Sequence, residues 1–301
     1  MKELIFEPIT FERKDEYMER LALSNTKSSD FSFTNIWGWA DEYSLEWAWT
    51  DNLVWIRQST TADSEIPVVR YWAPIGNWDN VDWANCPYMK QARTFHRVPE
   101  RLLEIWKEKI GNRITPTEDR GQWDYIYDVQ ELGELRGKKF HKKKNLVNQF
   151  KKLYSYTYEP MTADCVEAVL EMQEEWCMWR ECEESQSLLA ENDAIRRVLE
   201  QWDVIPSLIG GSIQVDGKVI AYTVAEAIND ETVVIHFEKG RTDYKGIYQA
   251  INNFFLTDEG SRFTYVNREQ DLDDEGLRKA KMSYNPVDFV KKFVVELAEE
   301  K

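Results

Sequence analysis

One segment of the chain concentrates positive charge. Residues 136–152 hold eight Lys or Arg residues and no acid, although the formal net charge of the 301-residue chain is −16. Setting these eight positive charges aside leaves −24 on the rest of the chain. Like charges repel, and many acids are available to separate them, so this concentration indicates a site for an anionic ligand.

The basic segment is predicted to form an amphipathic helix from Lys138 onward. At helical spacing its apolar side chains share one arc, and its cations and amides share the opposite arc. We interpret the cationic face as a phosphate clamp for tRNA, a lipid headgroup or coenzyme A, since a lysine ammonium is a mobile point charge. A solvated linker helix between two halves of the chain is the alternative. The apolar arc consists of Phe140, Leu146, Val147, Phe150 and Leu153, and the candidate phosphate-binding residues are Lys138, Lys139, Lys142, Lys143 and Lys144.

A second polar run, Asn267 to Asp271, follows a short predicted strand. Five consecutive polar residues of both charge signs are costly to bury without partners, so they reach water or line a polar cleft. We expect Glu269 or Asp271 to act as a general base on an amine nucleophile, and Arg268 to bind a carboxylate or phosphate. Asn267 is a further substrate-binding candidate. The structural alternative is an internal ion pair between Arg268 and Glu269 that caps the next helix.

Composition limits the class of protein. With 43% hydrophobic and 13% aromatic residues, the chain can build one large domain or two of ordinary size. No apolar run approaches the ~20 residues that span a bilayer. The first eight residues include acids where a signal peptide is apolar, so we expect a cytoplasmic protein. The excess of acid argues against general nucleic-acid binding but permits a local contact at the basic segment.

Cysteine and histidine do not indicate a metal site. Cys177 and Cys182 lie five residues apart in a predicted helix, about 140° from each other's face, so we expect neither a metal clip nor a disulfide. We expect these two residues, Cys86 and Cys165 all to be reduced. The three histidines are scattered along the chain, which argues against a His-rich metal site: His96, His141 and His236.

The hydrophobic pattern predicts a similar order of elements in both halves of the chain. In the first half we expect strands at Leu4–Pro8, Ser44–Thr50, Leu53–Gln58, Val68–Pro74 and Asp124–Val129, with helices at Lys14–Leu23, Pro99–Ile110 and the basic segment. In the second half we expect strands at Tyr154–Glu159, Gly210–Val215, Lys218–Ala227, Thr232–Glu238 and Phe263–Asn267, with helices at Thr162–Arg180, Asn192–Trp202, Gly246–Leu256 and Asp274–Met282. The end, Val287–Leu297, fits a strand or a helix.

This order predicts two domains. The first is 1–153, which ends in the basic helix, and the second is 154–301, which carries the active site. Ten of the 13 tryptophans precede residue 124. We interpret them as the core of a sheet rather than as an aromatic acceptor pocket.

Two longer motifs resemble a known family. They comprise Tyr125–Asp128 with Leu135–Asn145, and Asn267–Leu272 with Glu275–Pro286. They resemble the phosphatidylglycerol lysyltransferase C-terminal domain family, and the resemblance covers nearly the whole chain. It implies an α+β (mixed α/β) fold of two GNAT-like (acyl-CoA N-acyltransferase) domains in tandem, each a central mixed sheet flanked by helices. The most similar family members are soluble tandem-GNAT proteins of undefined substrate.

The resemblance implies a donor-binding turn before the helix at Gly246. In GNAT enzymes a glycine-rich turn at this place holds the donor's pyrophosphate through its amides. Gly246 matches that pattern, whereas Tyr248 replaces its final small residue. A bulky side chain would crowd a pyrophosphate, so this departure disfavours coenzyme A and favours an aminoacyl donor. An ordinary turn is the alternative.

The resemblance also implies an acid for the leaving group. In many GNAT enzymes a tyrosine in this vicinity protonates the leaving group, and Tyr284 is the candidate in this chain. A phenol suits an acid because its unperturbed pKa is ~10. A core or interface tyrosine beside Pro286 is the alternative. Lys281, at the end of the predicted helix that precedes Tyr284, is a substrate-binding candidate. Glu226 and Glu238, near the ends of the hairpin strands, are secondary base candidates, and Glu238 is also a substrate-binding candidate.

Together these residues predict a transferase that moves an acyl, or aminoacyl, group to an amine or hydroxyl acceptor of small-molecule or lipid-like kind. The resemblance implies aminoacyl-tRNA as the donor, bound through the basic helix, with a coenzyme A thioester as the other donor. Lysyl-phosphatidylglycerol synthases carry a membrane portion that this sequence lacks, so we expect a soluble or surface-presented acceptor. Two alternatives stay open: an acetyl-CoA-dependent N-acetyltransferase, and a noncatalytic RNA- or anion-binding tandem GNAT module.

Overall fold

The computed structural model describes residues 3–60, 68–205 and 207–298. Packing contacts divide the chain into two compact units. The first consists of Met1–Asp124, Gln270–Asp274 and Val290–Lys301, and the second of Tyr125–Glu269 and Glu275–Phe289. Each unit has its own mixed sheet, so the α+β class expected from the sequence is confirmed.

Helices and strands alternate along the described residues. The helices are α1 (Lys14–Ser24), α2 (Phe33–Gly38), α3 (Glu100–Ile110), α4 (Val129–Glu134), α5 (His141–Leu153), α6 (Val166–Trp179), α7 (Gln186–Leu199), α8 (Ile247–Thr257) and α9 (Glu275–Met282). The strands are β1 (Glu7–Pro8), β2 (Leu45–Trp49), β3 (Leu53–Thr60), β4 (Val68–Trp72), β5 (Ile75–Gly76), β6 (Thr94–Pro99), β7 (Ile114–Glu118), β8 (Asp124–Asp128), β9 (Tyr156–Pro160), β10 (Leu208–Val215), β11 (Lys218–Ala227), β12 (Thr232–Gly240), β13 (Tyr265–Asn267), β14 (Asp288–Val290) and β15 (Lys292–Leu297).

The sheet of the first unit has the order β1-β2-β3-β4-β6-β15-β7, with β5 paired to β3. β4 and β6 are parallel, and the other pairs are antiparallel. Helix α3 packs here because four of its apolar residues recur at helical spacing and are buried: Leu102, Leu103, Trp106 and Ile110. The last strand of the chain, β15, lies between β6 and β7 in this sheet.

The sheet of the second unit has the order β14-β8-β13-β12-β11-β10-β9. Helices α6 and α8 cover its opposite faces. Two adjacent residues of β11 show this, since neighbouring side chains of a strand point to opposite sides of the sheet. Ala221 of β11 belongs to the apolar core that α8 completes. The next residue, Tyr222, donates its hydroxyl proton to Gln173 of α6 at 2.6 Å.

Strand β12 contains a bulge at one residue of the candidate site described below. Val224 of β11 pairs with Phe237 and Ala225 pairs with Ile235, so His236 is an extra residue in β12. A bulge bends its strand and re-aims the local side chains. On the other side, β12 is paired with β13 in parallel only from Thr232 to Val234.

Local patterns predicted most of these elements. The β10–β11 hairpin turns at Asp216 and Gly217, both with positive φ, as the Asp-Gly pair indicates. The strand expected at Leu4–Pro8 is limited to Glu7–Pro8, and α7 begins at Gln186 instead of Asn192. The ambiguous end of the chain forms β14 in the second sheet and β15 in the first.

The tryptophans of the first unit pack as expected for a sheet core. Five of them are almost fully buried: Trp47, Trp55, Trp78, Trp83 and Trp106. Several make edge-on or tilted ring contacts, such as Trp83 with Trp106 at a centroid distance of 5.4 Å. The core interpretation is therefore confirmed for these residues.

The expectation that all four cysteines are reduced is wrong. Cys177 and Cys182 form a disulfide, with their Cα atoms 5.2 Å apart. The error came from extending the helix through both residues. Helix α6 ends at Trp179, and Glu181 adopts a left-handed conformation at φ 53°, so the chain reverses and brings the two thiols together. Cys86 and Cys165 are free.

The compact units do not divide the chain at residue 153, where the sequence predicts a domain boundary. Strand β8, helix α4 and the basic helix α5 all pack within the second unit. The reason is that Phe140, Val147 and Phe150 are buried in the core that α8 completes. Leu146 is only half-buried and Leu153 is 58% exposed, so they contribute less to this face. In the described part of the chain, helices long and apolar enough to cross a membrane are absent.

Candidate active site

Polar residues of the second unit gather where β13 ends beside β12. β13 stops at Asn267, opposite Val234, whereas β12 continues to Gly240. The backbone after Asn267 leaves the sheet, and its side chains contact the outer part of β12. We name this group the strand-end cluster: Glu226, His236, Glu238, Arg268, Glu269 and Tyr284.

Arg268 and Glu238 form the ion pair of the cluster. Nη2 of Arg268 lies 3.0 Å from Oε1 of Glu238, and their side chains are 17% and 9% exposed. Asn252 of α8 donates to the other carboxylate oxygen of Glu238 at 2.8 Å. Nη1 of Arg268 is buried and has no hydrogen-bond partner among the described residues. A buried cationic donor without a partner is costly, so this atom is suited to a ligand's anionic oxygen.

Tyr284 lies against the same guanidinium. Its ring centroid is 4.8 Å from Cζ of Arg268 and 4.0 Å from Nζ of Lys143. Gln249 of α8 donates to its hydroxyl at 3.4 Å. Burial raises the pKa of Tyr284, and the charge of Arg268 only partly offsets this. The phenol therefore stays neutral at physiological pH and keeps a proton to donate.

Glu269 is held by a buried histidine. Oε1 of Glu269 lies 2.9 Å from Nδ1 of His236, whose Nε2 lies 3.2 Å from Oε2 of Glu226. Ser207 donates to the other oxygen of Glu226 at 3.1 Å. Glu269 is 20% exposed, whereas His236 and Glu226 are closed off from solvent. Glu269 is thus the member of this row that reaches the surface.

His236 is protonated at neutral pH. Burial by itself lowers the pKa of its imidazole, but the hydrogen bonds and charges of Glu226 and Glu269 outweigh burial and raise the pKa to about 9. The sequence-based reasoning missed this residue because the three histidines are far apart along the chain. The available signal was that His236 lies on β12, which pairs with β11, the strand of Glu226. The bulge in β12 changes the register, so the sequence did not show that the two side chains are neighbours.

Two further candidates hold the backbone of the cluster. The side chain of Asn267 is buried and accepts from the Glu269 N–H at 2.7 Å, which supports the left-handed φ of 56° at Glu269. Nζ of Lys281 donates to the Arg268 carbonyl, and its own carbonyl accepts from the Tyr127 hydroxyl at 2.9 Å. The geometry gives both residues an anchoring role.

Asp271 is not part of the cluster. It belongs to the first unit, where its side chain is fully buried and lies 3.1 Å from Nη1 of Arg120. The N–H of Asp273 also donates to it at 3.0 Å. Asp271 and Glu269 were equivalent base candidates in the sequence, and the structure separates them because Glu269 pairs with His236 in the second unit and Asp271 pairs with Arg120 in the first.

The basic helix contributes one lysine to the cluster. Lys143 is half-buried beside Tyr284, and burial, then the charge of Arg268, lowers the pKa of its ammonium. Lys138, Lys142 and Lys144 are exposed, and Lys139 pairs with Glu131 at 2.6 Å. The exposed lysines form a cationic surface that continues from the cluster along α5.

The turn at Gly246 has a packing explanation. Gly246 precedes α8 with φ 85°, and a Cβ there would lie 2.4 Å from the carbonyl oxygen of Leu146 in α5. Only glycine permits this approach of two backbones. Tyr248 is half-buried, and burial raises the pKa of its phenol.

The fold defines a class before any relative is considered. Two mixed sheets flanked by helices, with a bulged strand that parts from its parallel neighbour, are the architecture of tandem GNAT-like proteins. The family model described as phosphatidylglycerol lysyltransferase, C-terminal, matches residues 21–296. The chain belongs to this family of transferases, as its motifs predict.

Similar structures extend over nearly the whole chain. A conserved protein of unknown function from Bacteroides thetaiotaomicron VPI-5482 is 30% identical, with a TM-score of 0.85 over 98% of this chain and all of that one. L-PGS from Bacillus licheniformis is 13% identical, with a TM-score of 0.66 over 100% and 95% of the two chains, which shows a shared fold. An uncharacterised protein of Mycoplasmoides gallisepticum is 21% identical over 58% of this chain. That match spans 56% of the relative's length.

Proposed function

We propose that this chain transfers an acyl group, and specifically an aminoacyl group, to an amine or hydroxyl acceptor at the strand-end cluster. The observations that carry the proposal are the row Glu226–His236–Glu269, which presents one partly exposed carboxylate, and Nη1 of Arg268, which has no hydrogen-bond partner among the described residues. A base, a fixed cation and a neutral phenol at one opening are the parts that acyl transfer requires.

Glu269 acts as the general base. It takes a proton from the acceptor amine or hydroxyl while that group attacks the acyl carbonyl. His236 keeps Oε1 of Glu269 in place, because its other nitrogen is itself held by the buried Glu226. The protonated imidazole balances one of the two carboxylates, so that the row keeps a single negative charge for the incoming proton.

Tyr284 and Arg268 act on the leaving side. The bond that breaks joins the acyl carbon to the donor's ester oxygen, and the bond that forms joins it to the acceptor. Tyr284 donates a proton to the departing oxygen, which its buried, neutral phenol can do. Nη1 of Arg268 stabilises the negative charge that develops on oxygen in the transition state. Positioning by these fixed groups supplies the remainder of the rate.

The proposed donor is aminoacyl-tRNA. Family membership supports an aminoacyl group, and Lys142 and Lys144 are exposed on the helix that places Lys143 at Tyr284. Donor phosphates along this surface would lead the acyl ester toward the cluster. The half-buried Tyr248 near the start of α8 supports the expectation that a coenzyme A pyrophosphate is disfavoured.

A transfer assay with Glu269→Gln tests the role of the base. We expect the rate of transfer from a pool of radiolabelled aminoacyl-tRNA to a small amine to fall by about 100-fold, since general-base catalysis contributes about that factor or more. Glu275→Gln removes an exposed carboxylate from α9 and is the matched control, which should keep the wild-type rate. An unchanged rate in Glu269→Gln excludes this carboxylate as the base.

Binding measurements separate donor recognition from chemistry. We expect the double substitution Lys142→Ala, Lys144→Ala to weaken tRNA binding and to make its salt dependence shallower, because fewer counterions are released. Equal tRNA affinity at low salt would contradict the phosphate clamp. Saturable binding of acetyl-coenzyme A in place of tRNA would favour the acetyltransferase alternative.

A further inference from the structure

A pocket lies in the second unit, between α6 and the segment that follows β12. Its volume is about 360 Å³, within the range of small-molecule sites. Members of the strand-end cluster are not among its lining residues, which are Glu175, Trp176, Trp179, Arg241, Thr242 and Asp243. The disulfide between Cys177 and Cys182 links the end of α6, which supplies the two tryptophans, to the residues that follow it.

The charged groups of this pocket favour a cation. Arg241 is engaged by both carboxylates: Nη1 lies 3.0 Å from Glu175, and Nη2 and Nε lie 3.1 and 3.3 Å from the two oxygens of Asp243. Two carboxylates against one guanidinium leave a formal charge of −1. Three of the five N–H groups of Arg241 donate to these partners, so most of its hydrogen-bonding capacity is already used. Each carboxylate still has lone pairs to accept from a ligand.

The aromatic walls favour the same ligand. Nζ of Lys239 lies 4.2 Å from the ring centroid of Trp176 and 2.6 Å from a carboxylate oxygen of Glu191. The ammonium group of Lys239 is therefore already held between an indole and a carboxylate, beside one of the residues that line the pocket. Trp179 is 58% exposed and supplies a second indole, which already attracts a cation of the protein, since Cζ of Arg180 lies 5.9 Å from its ring centroid. Indole is the strongest aromatic partner for a cation.

We propose that this pocket binds the primary ammonium group of a small organic amine, between the indole of Trp179 and the carboxylates of Glu175 and Asp243. Binding of the amine stands on the pocket alone. The further assignment, that the amine belongs to the acceptor of the transfer reaction, rests on the proposed function.

A series of three probes with the same alkyl chain tests the charge of the ligand. Calorimetric titration at neutral pH would compare pentylamine, 1-pentanol and pentanoate, which present an ammonium, a hydroxyl and a carboxylate. We expect saturable binding of pentylamine with a Kd on the order of 1 mM, and weaker binding of the other two. Absence of saturation by about 20 mM pentylamine, or equal binding of 1-pentanol, would overturn the proposal.

Variants then locate the binding. Trp179→Leu and Glu175→Gln should each weaken pentylamine binding about 2- to 5-fold, as expected for one exposed cation–π contact or one partly screened charge. Glu167→Gln is the matched control, because it removes an exposed carboxylate from the same helix two turns away, beyond about one Debye length. Equal affinity in Trp179→Leu, Glu175→Gln and wild type would overturn the site.

The two proposals fail separately. Glu269→Gln should bind pentylamine like the wild type, since Glu269 does not line this pocket. Pentylamine binding without any transfer activity would refute the transferase and leave the amine site. Transfer activity that is unchanged in Trp179→Leu and Glu175→Gln, with pentylamine binding reduced, would remove the acceptor assignment alone.

Discussion

Each compact unit contains a buried group of charged side chains, and the two groups differ in how completely they are paired. In the first unit, Lys292 lies between Asp30 and Asp124, and all three side chains are closed off from solvent. Arg97 also pairs with Asp30. We name these four residues the first-unit network. In the strand-end cluster of the second unit, Glu269 is partly exposed and Nη1 of Arg268 has no partner among the described residues.

The carboxylates of the first-unit network are saturated by protein groups. Asp124 accepts from the N–H and hydroxyl of Ser29 at 2.8 and 3.0 Å, in addition to Lys292 at 2.6 Å. Asp30 accepts from Ser28 and Gln270 as well as from its two cations. Burial alone would raise the pKa of Asp30, but Lys292 and Arg97 lower it to about 2.

This difference in pairing distinguishes a structural group of charges from a candidate functional one. A charged group whose donors and acceptors are all used within the protein has nothing left for a ligand, and it specifies structure. A group that keeps an unused donor and a partly exposed carboxylate can still form hydrogen bonds or ion pairs with a ligand. We therefore interpret the first-unit network as structural and propose the strand-end cluster as the functional site.

The largest expected effect is on the first-unit network. Lys292→Met leaves two buried carboxylates facing each other without their shared cation, so we expect a loss of about 3–5 kcal/mol in the free energy of unfolding. Urea denaturation measures it. Lys291→Met is the control, because Lys291 is 40% exposed and its ion pair with Glu100 lies at the surface, and it should cost at most about 1 kcal/mol. Equal stability of the two variants would contradict the assignment to folding.

The next effect is the pH dependence that His236 contributes. Its pKa is about 9 in the folded protein and about 6.5 when unfolded, so its stabilisation is complete below pH 6.5 and is lost as the pH rises through 9. The corresponding loss is about 3 kcal/mol. Unfolding measured at several pH values from 6 to 9.5 should show this slope.

Two histidine variants identify the source of that slope. His236→Gln should remove it, whereas His141→Gln should keep it, because His141 is exposed on α5. A slope that persists in His236→Gln would show that another group titrates.

The smallest expected effect is a difference between the two charged groups in anion binding. Inorganic pyrophosphate at ten times its Kd should stabilise the protein by about 1.4 kcal/mol, a rise of about 3 °C in Tm, if its oxygens reach Arg268 and Lys143. Sodium chloride at equal ionic strength is the reference. The measured quantity is the Tm shift that pyrophosphate produces in each variant.

Arg268→Gln should abolish the shift, and Arg97→Gln should keep it, since Arg97 pairs with Asp30 in the first unit and is not a member of the strand-end cluster. A shift of the same size in Arg268→Gln would place the anion elsewhere. Loss of the shift in Arg97→Gln alone would reverse the assignment of the two groups.

Much of the fold was predictable from the sequence because it follows from local pattern. The Asp216-Gly217 turn, the limits of β11 and the buried face of α3 depend on residues that are close along the chain. The family motifs were also legible, and the family they indicate is confirmed. The end of the chain was not predictable in the same way, because β14 and β15 obtain their partners from strands about 160 to 200 residues away.

The candidate site was only partly predictable. Arg268, Glu269, Glu238 and Tyr284 were singled out by their types and their position, and the structure gathers them in one cluster. Their catalytic roles stay proposals. His236 escaped notice because a bulge changes the register of β12. The disulfide escaped notice because α6 ends at Trp179 and the chain reverses at Glu181, whereas the prediction placed Cys177 and Cys182 in one continuous helix.

Periodicity and charge are properties of neighbouring residues, so the cationic, amphipathic helix and the polar run after a strand could be predicted from the sequence. The contact of Glu269 with His236 in one unit, and of Asp271 with Arg120 in the other, depends on the fold. Burial and hydrogen bonding require partners that are distant along the chain. Two carboxylates separated by one residue look the same in sequence, and the folded environment gives one of them a partly exposed place and the other a closed one.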